Sequence, residues 1–580
     1  MMKLIDALQI ARREPAPGAT PLAVALVCGF SPLHLQTFLA ANLRLLFPDR
    51  QVDVQTGLYG DLAGNLERLE TATVDAGAVV MEWSDLDPRL GIRRLGGWGP
   101  GDLGDIVENV RAQAARFRGL LERISQGIPL AFSTPTLPLP PLSFMPGWRA
   151  SAFDLALRES IASLEISVAP HLGLKMVNSQ RLSLLSPPGD RFDVKSELLA
   201  GFPYTVSHAD AVAWMLARLI RNPTPKKGLI TDLDDTLWSG ILGEVGVDRV
   251  SWDLDHRSQK HGLYQQLLRA LAEEGVLIAI ASKNDPGLVE EAFRTANPIL
   301  PLSRVFPVEA HWGPKSESVA RILSAWNVGA DSVVFVDDSP MDLAEVKAAH
   351  PDVECLLFPK NDDQAAYELL ERLRDLFGKD SVSQEDAIRL ESIRSAHAVA
   401  EGAPADARSS DRFLEQANGE LTLAFAKDPP DPRALELVNK TNQFNLNGKG
   451  YTEAAWRAHL AKPDAFLLLA AYQDKYGPLG KIAVLSGRRD GRVLWVDVWV
   501  MSCRAFSRRI EHHCLAQLFE RFDAEELAFD FVATPRNGPL QDFFVQFVGG
   551  PPQPGLCISK KTFFEKCPPL FQTIEDSAHG

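Results

Sequence analysis

Cysteine is scarce in this chain. The 580 residues hold six, at positions 28, 355, 503, 514, 557 and 567, and no two of them form a C-x-x-C pair. That spacing excludes a disulfide framework and a structural zinc site, and it points to a reducing compartment, expected to be the cytoplasm. "EHHC" at 511–514 sets two histidines beside a cysteine. Consecutive residues on a helix point in different directions, so no metal site is expected there. Long apolar runs are also missing. "PLAVALVC" at 21–28 is too short to span a bilayer and fits a buried strand. The first twenty residues are polar and broken by prolines, so neither a signal peptide nor a membrane segment is expected. Positive charge is the third shortage. Sixty Lys and Arg stand against 75 Asp and Glu, a formal charge of -15. Binding to a polyphosphate backbone needs a basic footprint, so nucleic acid is not an expected partner.

What is present is an ordinary globular composition spread over a length that exceeds one hydrophobic core. Three domains are expected, at 1–220, 228–377 and 413–570. In the first, "LAVALVC", "AGAVVME" and "PLAFST" have the look of buried strands, and "DIVENVRAQAARFRGLLERIS" at 105–125 that of an amphipathic helix. Apolar runs separated by helices predict an α/β fold with a parallel sheet. "RNPTPKK" at 221–227 reads as a linker. The second region repeats the alternation with "GLITDL", "VLIAIAS", "SVVFVD" and "VECLLF". "NDPG" offers Asp285 as helix cap ahead of Pro286, and "DDSP" offers Ser339 ahead of Pro340. Residues 378–412 read as a second boundary. Beyond it, "DAFLLLAAYQD", "LGKIAVLSG" and "RVLWVDVWVMS" follow with short turns, and a helical pattern comes next. This is the signature of an antiparallel sheet in an α+β domain.

The sequence concentrates its chemistry just after the linker. In "LITDLDDTLWSG" at 229–240, Asp232, Asp234 and Asp235 crowd the end of an apolar strand, where aspartate is disfavoured. Two carboxylates at i and i+2 beyond a strand end can face one pocket. A hard divalent cation such as Mg²⁺ offsets their repulsion and commonly shares its ligands with a phosphate. One aspartate can then attack phosphorus while the other shuttles a proton. An acidic surface turn would give the same local pattern. Further segments bear on the choice. Ser282 ends the strand "VLIAIAS" just before a helix start, which suits a phosphoryl oxygen. Lys315 begins a helix in "HWGPKSES", and Asp337 with Asp338 ends "SVVFVD", where an acidic pair could complete a metal site.

In this order, D-x-D-x-T, then Ser, Lys and an acidic pair, the chain resembles the haloacid dehalogenase superfamily. The resemblance implies a Rossmann-like parallel sheet. It implies Asp232 as nucleophile, Asp234 as acid/base, Thr236, Ser282 and Lys315 on the phosphate side, and Asp232, Asp234, Asp337 and Asp338 at Mg²⁺. Asp235 is left an outward or structural role. The longer stretches "DLDDTLWSGILGEVG", "ASKNDP", "HWGPKSESVARI" and "FVDDSP" resemble the FkbH-like branch, as do "LVNKTNQFNLNGKGYTEAAW" and "TPRNGPLQDFF" further on. That resemblance implies dephosphorylation coupled to loading of a glyceryl-like three-carbon unit, from 1,3-bisphosphoglycerate, onto an acyl carrier protein. Relatives often carry Cys before the motif serine, whereas this chain has Ala281, and no cysteine lies in 228–350. A plain small-molecule phosphatase is the alternative, and a carrier-binding scaffold with inactive outer domains is a third.

The flanks carry looser resemblances. The C-terminal region is similar to the acetyltransferase-like (GNAT) fold. Ser507 and Arg509 stand where its glycine-rich pyrophosphate turn is expected, and Arg504, Arg508 and Arg509 are offered as phosphopantetheine, coenzyme A or carrier contacts. "KTNQFN" could line a pocket or form a hydrogen-bonded loop. The N-terminal region resembles the SGNH-hydrolase fold, with Ser31, Asp85, Asp87 and His208 as the residues a triad would draw on, but without the G-D-S block or the final D-x-x-H. Ser31 is equally a helix cap.

Overall fold

The computed structural model of the protein describes residues 2–576 apart from 96–98, 100, 142–145, 381, 383–385, 387, 395–410, 412–413, 442, 476, 503–504, 507 and 535. The chain divides into two compact units, Met1–Pro223 and Thr224–Gly580. Among the described residues no helix is long and apolar enough to cross a membrane.

The first unit is built on five strands: β1 (Thr20–Cys28), β2 (Arg50–Thr56), β3 (Ala76–Val80), β4 (Leu130–Ser133) and β5 (Leu174–Met176). They form one parallel sheet in the order β2-β1-β3-β4-β5. Both faces are covered, one by a core that includes Leu26, Phe38 and Leu216, the other by one that includes Val79, Phe117 and Leu164. Two-sided burial is why β3 and β4 read as continuous apolar runs rather than alternating ones.

The second unit holds two sheets. The first comprises β6 (Gly228–Thr231), β7 (Leu277–Ser282), β8 (Val305–Ala310), β9 (Val333–Asp337) and β10 (Glu354–Leu357), all parallel, in the order β10-β9-β6-β7-β8. Every residue of β6, β7 and β9 is buried. Successive residues serve opposite faces: Leu229, Ile278 and Val334 pack in one core, Ile230, Ala279 and Phe335 in the other. Gly228 is fixed by its neighbour, because a Cβ there would lie 2.4 Å from the Trp326 ring. The chain runs outward from β6 through β7 to β8, then crosses back to place β9 on the other side of β6. The crevice that collects ligands in such sheets lies at the carboxyl ends of the strands flanking that reversal.

The other sheet has seven strands, β11 (Glu420–Ala424), β12 (Ala465–Asp474), β13 (Gly477–Asp490), β14 (Val493–Met501), β15 (Glu526–Phe529), β16 (Cys557–Ser559) and β17 (Thr573–Asp576). Their order is β16-β15-β14-β13-β12-β11-β17. The centre is antiparallel, as the sequence predicts, but β14 with β15 and β11 with β17 are parallel, so the sheet is mixed. The fold is α/β and multidomain, with two Rossmann-like parallel sheets and one mixed sheet.

Candidate active site

The carboxyl ends of β6, β7 and β9 bring the sequence's scattered motifs together. Helix starts are set by side chains in the expected places: the Asp285 carboxylate accepts from Gly287 N and Leu288 N, and the Ser339 hydroxyl accepts from Asp342 N. Each such cap is worth about 1 kcal/mol. Lys315 is the first residue of the helix Lys315–Trp326.

Asp232 follows β6 and is 5 % exposed. Its Oδ1 lies 2.9 Å from Lys315 Nζ, and the same ammonium is 2.6 Å from Asp337 Oδ2 and 3.7 Å from Asp342 Oδ2. Asp337 Oδ1 accepts from Ser339 N at 2.8 Å. Oxygens of Asp232, Asp337 and Asp338 lie within 4.8 Å of one another. Asp338 is also 2.8 Å from Lys360 Nζ, which reaches Asp235 at 2.9 Å on its other side. Asp235 is the structural member of the trio. It holds a left-handed backbone with φ +52 and its carboxylate accepts from Gly240 N at 2.9 Å, closing the loop.

Burial dominates the electrostatics. It pushes the Asp232 carboxyl up to about 7, a rise opposed by Lys315 and reinforced by Asp337. Burial raises Asp337 as well, again against Lys315. Burial works against the Lys315 charge, yet Asp232 and Asp337 together hold that ammonium well above its usual range. One buried cation therefore serves two buried carboxylates, and negative charge remains to be offset. Asp232 Oδ1 receives no well-angled hydrogen bond despite its closeness to Lys315. Three clustered hard oxygens with one of them unsatisfied suit a small hard cation, and Mg²⁺ fits that donor set.

Two sequence expectations are modified here. Asp234 was expected among the metal carboxylates, but its side chain lies outside that cluster. Its Oδ1 accepts from Trp238 Nε1 at 3.0 Å and Leu242 N at 3.1 Å, and its Oδ2 from Asn284 Nδ2 at 3.0 Å. Thr236, expected on the phosphate side and as a support of the loop, is fully buried, and its carbonyl oxygen is 2.9 Å from His261 Nδ1, which fits the second role. Ser282 ends β7, and its Oγ accepts from Asn284 Nδ2 at 3.0 Å. Sequence reading gave no role to Asn284, Asp342 or Lys360. Asn284 and Asp342 sit in motif flanks, but Lys360 lies past β10 with no local signal.

The outer regions depart further from expectation. Arg508 is buried against Asp474 at 3.3 Å and lies over the Tyr472 ring. Arg509 has φ +58 and gives its guanidinium to Asp411 and, at 2.7 Å, to the Pro569 carbonyl. Both cations thus have internal partners instead of forming an open basic face. Arg504 and Ser507 lie outside the described residues. "KTNQFN" takes both alternatives: Lys440, Thr441 and Gln443 line a cavity with Arg433 and Trp326, while Asn445 Nδ2 donates to Thr441 O at 2.8 Å and its Oδ1 accepts from Gly448 N at 2.8 Å; Asn442 is outside the described residues. In "EHHC", His513 bonds Gln572 at 2.7 Å and His512 packs edge-on against Phe543. In the first unit His208 is 2.8 Å from Thr136 Oγ1 and 2.9 Å from Ser186 Oγ, Asp85 accepts from Glu82 N, and Asp87 pairs with Arg89. Ser31 is a partner of none of them, and the cap of the following helix is Pro32. The four residues do not assemble a triad.

No family model matches the chain, and no curated protein does. Among solved structures, it is similar to the N-terminal part of the protein BF1531 from Bacteroides fragilis, described as containing a phosphatase domain complexed with Mg. The identity is 20 %, the match covers 66 % of this chain and 100 % of that one, and the TM-score is 0.52. An uncharacterized protein from Corynebacterium glutamicum aligns over 27 % of this chain and 98 % of its own at 19 % identity, with a TM-score of 0.19. The first of these likenesses is one of fold.

Proposed function

We propose that this protein is a Mg²⁺-dependent phosphatase working through an aspartyl-phosphate on Asp232. The observation that carries the reading is the cluster of buried Asp232 and Asp337 with half-buried Asp338, Lys315 bridging the first two. The Mg-bound phosphatase domain in BF1531 supports it by likeness of fold. Asp232 attacks phosphorus, the bond to the leaving oxygen breaks, and Asp234 gives that oxygen a proton. Water then attacks phosphorus, returns a proton to Asp234 and releases Asp232 and phosphate. Lys315 and Ser282 hold the phosphoryl oxygens, and Asp232, Asp337 and Asp338 would hold Mg²⁺, which would supply further positive charge against the group in transit.

A phosphorylated small molecule is the substrate of this reading. Loading of a glyceryl-like unit from 1,3-bisphosphoglycerate onto an acyl carrier protein is its finer form, resting on the FkbH-like flanks. In that form the carrier's thiol attacks the acyl carbon, the C–O bond to the 1-phosphate breaks and inorganic phosphate leaves with the pair of electrons, and Asp232 acts on the remaining phosphate ester. Ala281 is buried on β7, and the described cysteines contribute no atom to the carboxylate cluster. The internal pairing of Arg508 and Arg509 weighs against the carrier docking there.

The test is mass spectrometry of purified protein with Mg²⁺, 1,3-bisphosphoglycerate and a phosphopantetheinylated carrier, beside Asp232→Asn. Phosphate release that falls at least about 10³-fold in the variant, each tenfold step being ~1.4 kcal/mol of barrier, supports the phosphatase. A glyceryl mass on the carrier supports the finer form. Equal turnover by the variant overturns both.

A further inference from the structure

Asn284 is 2 % exposed and sits two residues past Ser282. Its Nδ2 is 3.0 Å from Asp234 Oδ2 and 3.0 Å from Ser282 Oγ. A primary amide nitrogen carries two hydrogens, one for each of these acceptors. The turn itself does not need this side chain, because Asp285 already caps the helix Pro286–Thr295. A primary amide buried at a carboxylate is costly unless it is spent on hydrogen bonds, and here both hydrogens are spent on Asp234 and Ser282, the two groups that the proposed function sets at the phosphoryl group.

The consequences are specific. Asp234 Oδ1 takes two donors, Trp238 Nε1 and Leu242 N, while Oδ2 takes one. The oxygen left with capacity to hand over a proton is Oδ2, on the side of Ser282. Because Ser282 Oγ accepts from Asn284, its own hydrogen points elsewhere and is open to a phosphoryl oxygen.

We propose that Asn284 is a positioning residue that presents Asp234 Oδ2 and the Ser282 hydroxyl to the same phosphoryl group. This rests on the phosphatase reading above. Without Asn284, proton delivery to the leaving oxygen is impaired, so the loss depends on how much that oxygen needs a proton. p-Nitrophenolate leaves readily without one. Phenolate needs one more.

The experiment measures kcat/KM with Mg²⁺ for p-nitrophenyl phosphate and phenyl phosphate, in wild type, Asn284→Ala and Asn284→Ser, with thermal melts alongside and Asp232→Asn as control. The expected result is a loss in Asn284→Ala about tenfold larger for phenyl than for p-nitrophenyl phosphate, set against the ~10²–10⁴ that general acid catalysis contributes. KM rises for both substrates, and Asn284→Ser, which keeps one donor, recovers part of the difference. Equal losses on the two substrates, or none, overturn the proposal while Asp232-dependent turnover leaves the phosphatase reading standing. If Asn284→Ala does not fold, Asn284→Ser decides by the same ratio. Turnover that survives Asp232→Asn removes the phosphatase reading and this inference with it.

Discussion

Lys315 Nζ stands 2.6 Å from Asp337 Oδ2 and 2.9 Å from Asp232 Oδ1, with all three side chains buried. A buried cation shared by two carboxylates is a poor source of stability but a costly one to remove, since the uncompensated charges stay behind. Lys315→Met is therefore expected to lower metal-free stability by about 3–5 kcal/mol and, on the proposed function, to lower phosphatase turnover by roughly 10²–10³-fold. On the proposed function Mg²⁺ would bind the native carboxylates and not the unfolded chain, so it is expected to return part of the stability by mass action. Denaturant melts in EDTA and in Mg²⁺ check this. Identical midpoints for wild type and variant in EDTA would show that the ammonium is not what balances the cluster.

His208 offers a pH test in the first unit. Burial, then Arg191, pushes its pKa down to about 3, while its ring nitrogens meet Thr136 and Ser186. The folded value lies below the ordinary one of about 6.5. The unfolded chain thus takes up a proton that the native state refuses, and the stability contributed by His208 is complete above pH 6.5 and is lost as pH falls towards 3. Asp85, raised to about 7 by burial, and Glu82, also raised by burial, act in the opposite sense: their contribution is complete at low pH and is lost as pH rises through the folded value. Both remain in His208→Gln. The expected result is that the variant's stability relative to wild type improves steadily as pH drops from 6.5 to 4, read from urea midpoints. A constant difference over that range contradicts it.

Arg508 is expected to matter for folding rather than docking. Its side chain is 9 % exposed, and Asp474, 3.3 Å away, is 2 % exposed. Arg508→Met strips that partner from a buried carboxylate and is expected to cost about 3–5 kcal/mol. A variant that melts like wild type but loses affinity for an acidic carrier would reverse the assignment.

Much of the second unit was legible in the sequence because local patterns encode it. β6, β7 and β9 are apolar runs buried on both faces, and the caps at Asp285 and Ser339 depend on residues within three positions. The acidic pair could be placed at a strand end for the same reason. The direction of the Asp234 carboxylate was not legible. It is drawn from the carboxylate cluster by Trp238, Leu242 and Asn284, and the last lies fifty positions away. The basic character of "SRR" misled, since a charge in the sequence carries no sign of Asp474 or Asp411 waiting in the fold.

Periodicity and capping act over two to four residues, so the central strands, the caps at Asp285 and Ser339 and the residue types of the site are written locally in the chain. Tertiary structure decided which charges neutralise one another. Lys315 meets Asp337 across 22 positions, Lys360 meets Asp235 across 125, and β11 pairs with β17 at the far end of the described chain. Such pairings arise where strand order brings distant segments together, and at Lys315 and Asp337 burial makes the pairing strong enough to set the charge of the site.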